Sequence, residues 1–206
     1  RATPWLDPAL SFLPNLVTTV SLTWTDDAVD TTNQTTYSFA SIAFGAANAG
    51  RYIVVAAENA GNGAVTVSNA TIGGVTATVI TGGTVSGTLQ GTVALLVAAV
   101  PTGTTGTVAI TWSAGIGRCA IDVWSLIGAA DPTAPTIASD SIFVTTTLEA
   151  SLEIPTNGAG IGAVAAEGDA GTVTWTWTNL DERSDRVIET NSCASAADSS
   201  TAGTST

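Results

Sequence analysis

Histidine, lysine and methionine do not occur in this chain of 206 residues, and all five basic residues are arginine. Without histidine, the chain lacks the general base of Ser-His-Asp and Cys-His hydrolases and a common zinc ligand. Without lysine, it lacks the amine of Schiff-base enzymes and the phosphate-binding residue of P-loop sites. These absences exclude several enzyme classes, and we expect a protein with neither catalytic residues nor an organic cofactor.

Positive charge is scarce as well. Seventeen acidic residues against five arginines give a formal net charge of -12. Phosphate binding needs clustered Lys and Arg, so we do not expect nucleic acid as a partner. The longest apolar run, Val93 to Val100, has eight residues, whereas a membrane helix needs about 20. Membrane insertion is therefore not expected. The chain opens at Arg1 without an initiator Met or a signal-like apolar run, which is typical of a processed or partial gene product.

The chain has only two cysteines, Cys119 and Cys193. Cys119 alternates with Ile121 and Val123, so it belongs to the apolar face of a strand. This pattern favours a buried free thiol. A disulfide with Cys193 and a reactive thiol are the alternatives.

Thr, Val, Ala, Gly and Ser dominate what is present, and one strand pattern occurs three times, at 19–24, 107–112 and 172–177. In each copy an apolar stripe alternates with Thr, Ser or Ala and ends in Trp, which is typical of a strand with one buried face. The pattern predicts an all-β protein with minimal helix. We expect an antiparallel β-sandwich, jelly-roll-like, with about ten to twelve strands.

Turn residues and composition divide the chain further. Gly73-Gly74 predicts a two-residue hairpin, and Val93 to Val100 predicts a strand buried on both faces. We expect a proline-rich apolar arm at 1–16, the sandwich domain at 17–190 and a Ser/Ala/Thr/Gly-rich tail at 191–206, where the composition is that of a linker.

The arm combines three prolines with large apolar side chains, so it is poorly suited to regular structure and too apolar to stay in water. We expect it to pack either on its own domain or on a neighbouring subunit. The candidate interface residues are Trp5, Leu6, Leu10, Phe12 and Leu13.

Two acidic stretches are candidate calcium sites, because hard cations bind several loop oxygens. The first contains Asp26, Asp27 and Asp30, followed by Asn33, and is predicted to be a loop after the first Trp strand. The second contains Asp181, Glu182 and Asp185. The alternative for both is a set of hydrated turns without metal.

Aromatic rings and carboxyl pairs are the remaining candidates for chemistry. Trp124, Trp175 and Trp177 are candidate platforms for sugar rings, with core packing as the alternative. Glycoside hydrolysis needs two carboxyl groups facing a cleft. The available pairs, Glu149 with Glu153 and Glu58 with Glu167, are more typical of hydrated hairpin ends.

Four segments resemble a β-sandwich domain of tailed-bacteriophage virion structural proteins: Arg51 to Ala57, Thr71 to Ala77, Val100 to Gly103 and Ala120 to Trp124. A Thr-Trp-rich strand like Thr172 to Leu180 follows in such proteins, and the resemblance covers about residues 36 to 190. It implies a non-enzymatic virion protein, either a capsid decoration, a head or neck appendage or a tail-fibre component. Its partners would be other virion proteins and copies of itself. The alternative is a secreted or cell-surface carbohydrate-binding module or adhesin that recognises a host glycan through exposed Trp rings.

Overall fold

The computed structural model of the chain is built from strands. It describes residues 19–60, 65–84, 91–139, 150–167, 175–189, 192–199 and 203–205. These residues form fourteen strands, paired antiparallel, and no helix. The predicted all-β antiparallel sandwich is therefore confirmed, with more strands than the ten to twelve expected, whereas its jelly-roll order stays a prediction. No stretch of the described residues forms a helix with the length and hydropathy of a membrane span.

The central sheet has five strands, β1 (Ser21–Asp30), β3 (Arg51–Ala60), β6 (Thr78–Thr84), β7 (Gly91–Ala99) and β9 (Cys119–Ile127). Their order across the sheet is β1-β9-β3-β7-β6. β3 and β7 are rich in Val, Leu and Ala with little polar alternation, as strands covered on both faces are.

The front sheet has four strands, β2 (Gln34–Ala43), β4 (Val67–Ile72), β5 (Val75–Thr76) and β8 (Thr105–Ile116). Their order is β2-β8-β4-β5. The predicted hairpin at Gly73-Gly74 is confirmed, because it joins β4 to β5 with φ angles of 59° and 81°. Two successive positive φ angles are what a tight hairpin of this kind requires.

The back sheet has three strands, β11 (Gly160–Glu167), β12 (Asp181–Glu189) and β13 (Ser192–Ser199). Their order is β11-β13-β12, so the last of the three strands in the chain lies in the middle. A separate ribbon pairs β10 (Leu152–Ile154) with β14 (Gly203–Ser205).

The central sheet has a hydrophobic core on each face. Toward the front sheet, Val55 and Leu96 pack in one cluster with Trp112 of β8. Toward the back sheet, Val54 and Trp124 belong to a second cluster that includes residues of β13 and β11. The prediction that Val93 to Val100 is buried on both faces is confirmed, because alternate residues of β7 belong to the two clusters.

The acidic stretch after the first Trp strand is not a loop, and that prediction is wrong. Asp26, Asp27 and Asp30 lie within β1, which continues past a β-bulge between Trp24 and Asp26 and pairs with β9 along its whole length. β1 tolerates these carboxylates because it is the edge strand of its sheet, where polar side chains find water or a partner.

The predicted tail at 191–206 is also wrong as a linker, because Ser192–Ser199 is the middle strand of the back sheet. Ala194, Ala196 and Ala197 are fully buried there. Small side chains let bulky neighbours approach the backbone from both sides, so a composition that favours a linker in water also suits a covered strand. The predicted domain boundary at residue 190 therefore separates two paired strands.

One buried arginine joins two loops at the end of the sandwich. Arg51, the first residue of β3, is 1% exposed. Its guanidinium makes six hydrogen bonds of 2.7–3.2 Å, one N–H of Nη1 being shared between two acceptors, and all acceptors are main-chain carbonyl oxygens, those of Phe44, Gly45, Ala46, Val100, Thr102 and Gly103. Arginine suits this position because its planar fork carries five N–H donors in fixed directions.

Candidate functional site

Charged side chains are concentrated between the central and back sheets, with Arg186 of β12 among them. Arg186 Nη2 forms an ion pair with Asp122 Oδ2, and its Nη1 donates to Asp27 Oδ2 and to the carbonyl of Ile121 at 3.2 Å each. Asp122 is fully buried, and its Oδ1 accepts from Trp24 Nε1 at 3.4 Å. One arginine thus links the back sheet to β1 and β9 of the central sheet.

Glu58 lies beside this ion pair, on β3. Asp122 pairs in register with Ala56 and Glu58 with Ala120, so the two carboxyl groups share the face of the central sheet that the back sheet covers. Glu58 is 0% exposed, and neither carboxyl oxygen has a hydrogen-bond partner in the described structure. We call Asp27, Glu58, Asp122 and Arg186 the interlayer cluster.

The interlayer cluster contains more carboxyl groups than cations. Burial, with a further contribution from Asp122, raises the pKa of Glu58 well above its usual range, and Arg186 only partly opposes this. Burial also raises the pKa of Asp122, again against the effect of Arg186. A buried carboxylate without a partner is costly, so Glu58 takes up a proton and is neutral at pH values where an exposed glutamate is ionised.

Asp198 of β13 forms a second polar link between the same two sheets. Its Oδ2 accepts from Trp124 Nε1 of the central sheet at 2.7 Å. Arg183 of β12 holds the carboxylate in a fork, with bonds of 2.9 and 3.0 Å to its two oxygens. Both oxygens of the Asp198 carboxylate therefore accept hydrogen bonds, and these bonds hold the Trp124 ring and the Arg183 guanidinium in place. Charge-assisted pairs of this kind are short and directional.

The interlayer cluster has the residue types of an acid-base site but lacks access. Glu58 and Asp122 are each 0% exposed, so neither carboxyl group meets a substrate in this conformation. An open groove of about 510 Å³ lies elsewhere, beside Phe44, Val100 and the Gly73-Gly74 turn, and no charged side chain lines it. The described residues therefore favour a structural role for these polar groups.

The carboxylates predicted to bind calcium are not brought together. Asp26 accepts hydrogen bonds from the amides of Asp27 and Ala43, while Asp30 accepts from Thr32 and Gln34. The Thr32 hydroxyl and amide lower the pKa of Asp30.

The described part of the chain contains no group of three His, Cys, Asp or Glu side chains arranged to hold a metal ion. The second predicted calcium set, Asp181, Glu182 and Asp185, lies on strand β12 with exposed side chains, and Asp181 is 3.6 Å from Arg183.

The three tryptophans predicted to stack on sugar are used for packing. Trp124 is fully buried between the central and back sheets, so its assignment as an exposed platform is wrong. Trp177 is partly buried and donates from Nε1 to Ser195 Oγ at 2.9 Å. A Cβ added at Gly162 would clash with the Trp177 ring, so the ring rests directly on β11. Trp175 is also partly buried and lies beside Cys193 of β13.

The third Trp segment is not a strand in its described part. Trp175 to Trp177 form no ladder pairs and lie over the back sheet, while residues 172–174 fall outside the described residues. The two indole rings lie against β13, Trp177 at Ser195 and Trp175 at Cys193.

Several predicted residues cannot be placed. The arm residues Trp5, Leu6, Leu10, Phe12 and Leu13 and the carboxyl group of Glu149 lie outside the described residues. Glu153 is exposed on β10, and Glu58 is enclosed, so the described residues show no pair of carboxyl groups facing an open cleft.

Both cysteines are free and buried. Cys119 lies in the front core with Ile121 and Val123, as the alternation predicted. Burial raises the pKa of Cys119 and of Cys193, so neither thiol has the properties of a reactive nucleophile. The prediction of a buried free thiol at Cys119 is confirmed.

Sequence reasoning missed the structural roles of Arg51, Arg186 and Asp198. Arg51 carries a detectable signal, because it interrupts an otherwise apolar strand beginning and such a charge must find many partners. Arg186 and Asp198 carry none, because their surroundings in sequence are polar. A comparison of the chain with models of known families, with curated proteins and with solved structures finds no match in any of the three.

Proposed function

We propose that this chain is a non-enzymatic structural protein of a phage virion surface that binds neighbouring virion subunits. Capsid decoration, a head or neck appendage and a tail-fibre component are the roles that the resemblance implies. The observation that supports the proposal is the arrangement of the four segments that carry the resemblance. Contacts between them join all four segments into one continuous unit of the fold.

Arg51 is the centre of that unit. It begins the first segment, and its guanidinium binds the carbonyl oxygens of Val100, Thr102 and Gly103 in the third segment. The second segment contains the Gly73-Gly74 turn, and a Cβ added at Gly73 would lie 3.2 Å from Val100. The fourth segment belongs to β9, which pairs with β3. A unit held together by a tight turn and by hydrogen bonds to main-chain oxygens favours a structural role over a catalytic one.

The use of charge in the described residues also supports a scaffold. Arg51, Arg183 and Arg186 all hold main-chain or carboxylate oxygens inside the fold or between sheets. The buried carboxyl groups lie where no substrate reaches them. Rigid, layered β-domains with a polar surface suit an assembly in which many copies must keep one shape.

Mass in solution tests the proposal. We expect the full chain to form a defined oligomer in light scattering, and a chain beginning at Val17 to be a monomer with an unchanged far-ultraviolet spectrum. The matched control is the full chain with Asp131→Asn, which changes one exposed charge and leaves the apolar arm intact. A full chain that is monomeric at all concentrations, and that does not bind purified virions, would contradict the proposal.

A further inference from the structure

We propose that the back sheet is a proton-controlled layer: protonated Glu58 lets it close on the central sheet, and ionised Glu58 releases it. The proposal rests on the fold alone and does not depend on the virion role. It starts from one observation, a carboxyl group that is fully enclosed between two sheets and has no hydrogen-bond partner in the described structure.

The position of Glu58 decides which part of the fold responds. Val54, Ala56 and Glu58 alternate along β3 and face the back sheet, whereas Val55 and Ala57 face the front core. Water therefore reaches the Glu58 carboxyl group when the back sheet moves away, and the front core need not open. Separation of the two sheets converts an enclosed carboxyl group into a hydrated one.

The ionisable groups around Glu58 come from four neighbouring strands. β9 contributes Asp122, β1 contributes Asp27, and β12 contributes Arg186. β13 contributes the thiol of Cys193 and β9 also that of Cys119, and Glu58 acts on both. β7, the other strand paired with β3, has no ionisable residue. β11 has one, Glu167, which is its last residue.

The charge balance of these groups explains why Glu58 is the sensitive member. Arg186 already forms ion pairs with Asp122 and Asp27, and the attraction that it also exerts on Glu58 does not offset the burial of that carboxyl group. Ionisation of Glu58 would place a second buried negative charge beside Asp122 with one arginine between three carboxylates. Protonation of Glu58 lowers the excess from two negative charges to one without any movement of the chain.

The direction of the pH effect follows from linkage. In the closed form the pKa of Glu58 is raised well above 4.5, and in an open form the hydrated group returns to its ordinary value. Between these two pKa values the closed form holds a proton that the open form has lost. A rise in pH through this window therefore favours opening, by up to about tenfold per pH unit.

Opening would expose a hydrophobic surface of the central sheet. The covered face of the central sheet carries Val54, Val97 and Trp124, and a large apolar patch of this kind is normally an interaction site. The layer would thus keep this face of the central sheet covered while Glu58 is protonated and uncover it once Glu58 ionises.

Hydrogen exchange of the full chain, read peptide by peptide in mass spectrometry, tests the proposal. Protection of β13 amides, corrected for intrinsic exchange, should fall as the pH rises above the ordinary pKa of glutamate, by up to about tenfold per pH unit. Amides of β8 in the front sheet should keep their protection over the same range. Glu58→Gln removes the titration while keeping the shape, so its β13 protection should vary much less with pH.

The control is Glu153→Gln, because Glu153 is an exposed glutamate on β10. It should behave as the unaltered chain does. If Glu58→Gln does not fold, Glu58→Met provides an apolar replacement of similar volume. The proposal is overturned if β13 protection in the unaltered chain does not depend on pH, if β8 loses protection in parallel, or if the Glu58 variants keep the original slope.

Discussion

Replacing Arg51 should destabilise the protein more than the loss of one ordinary surface charge. The side chain is 1% exposed and makes six hydrogen bonds to carbonyl oxygens of two loops. In Arg51→Ala all six acceptors lose their donor at once. A cavity the size of the guanidinium also opens beneath the loops.

The expected cost follows from how buried each acceptor is. The bonds to Val100 and Phe44 are buried, and an unsatisfied buried carbonyl costs about 1–3 kcal/mol. The other four acceptors are only partly buried, so water replaces the lost donor at little cost. We therefore expect Arg51→Ala to lower the free energy of unfolding by about 3–5 kcal/mol.

Two further variants separate hydrogen bonding from packing. Arg51→Met fills a similar volume without donors and should be nearly as damaging as Arg51→Ala. Arg51→Lys keeps the charge and offers three donors instead of five, so it should lie in between, with a loss of about 2 kcal/mol.

Urea unfolding followed by tryptophan fluorescence measures these differences. In a chain of this size a loss of 3–5 kcal/mol lowers the melting temperature by roughly 10 °C. The argument is refuted if Arg51→Met is as stable as the unaltered chain, because the role of Arg51 would then be to fill space.

Three other predictions concern the cores. Gly106→Ala should cost about 1–3 kcal/mol in urea unfolding, because the added Cβ would overlap the Phe44 ring and lie 3.2 Å from the Cα of Gly73, whereas Gly50→Ala should have little effect. Burial raises the pKa of Tyr37 to about 12, and its hydroxyl lies 2.8 Å from the carbonyl oxygens of Thr32 and Ile116, which share its one proton as acceptors. Stability should therefore fall as pH rises from 10 toward 12, a tyrosine absorbance step near pH 12 should vanish in Tyr37→Phe, and that variant should lose about 1–2 kcal/mol; a step that persists would show another origin. Both cysteines should resist a thiol reagent in the native state and react in urea without a reductant, and the absence of reaction in urea would indicate a disulfide.

The front and central sheets were largely predictable, because apolar residues alternate with small or polar residues along several of their strands. Val108, Ile110 and Trp112 alternate with small or polar residues, and all three are buried in the front core. Similarly, Val20, Leu22 and Trp24 pack toward the back sheet. Where a strand has one apolar and one polar face, local pattern and final position agree.

The back sheet was not predictable, because its strands do not show a clear alternation of apolar and polar residues. β12 reads as a charged turn, since Arg186 and Ile188 face inward among four acidic residues. β13 consists of small residues between Ser192 and Ser199, and alternation is lost when both faces are covered. Such strands are specified by the residues that pack on them, which lie far away in sequence.

The same reason explains what was missed at the interlayer cluster. From sequence, Glu58 follows Ala57 at the end of a hairpin and is expected in water. Its burial depends on a third layer whose existence the local sequence does not reveal. Asp122 is comparable, because alternation places it opposite Ile121 and Val123, but its arginine partner is 64 positions away, at residue 186.

The position of β13 between β11 and β12 has a consequence for the order of synthesis. β11 and β12 leave the ribosome before β13 and have no ladder bonds with each other, so their layer waits for residues 192–199. Until then one apolar face of the central sheet stays uncovered in the nascent chain. Non-local pairing of this kind is slow and prone to aggregation. We therefore expect shortened translation products ending before Ser192 to be captured by chaperones.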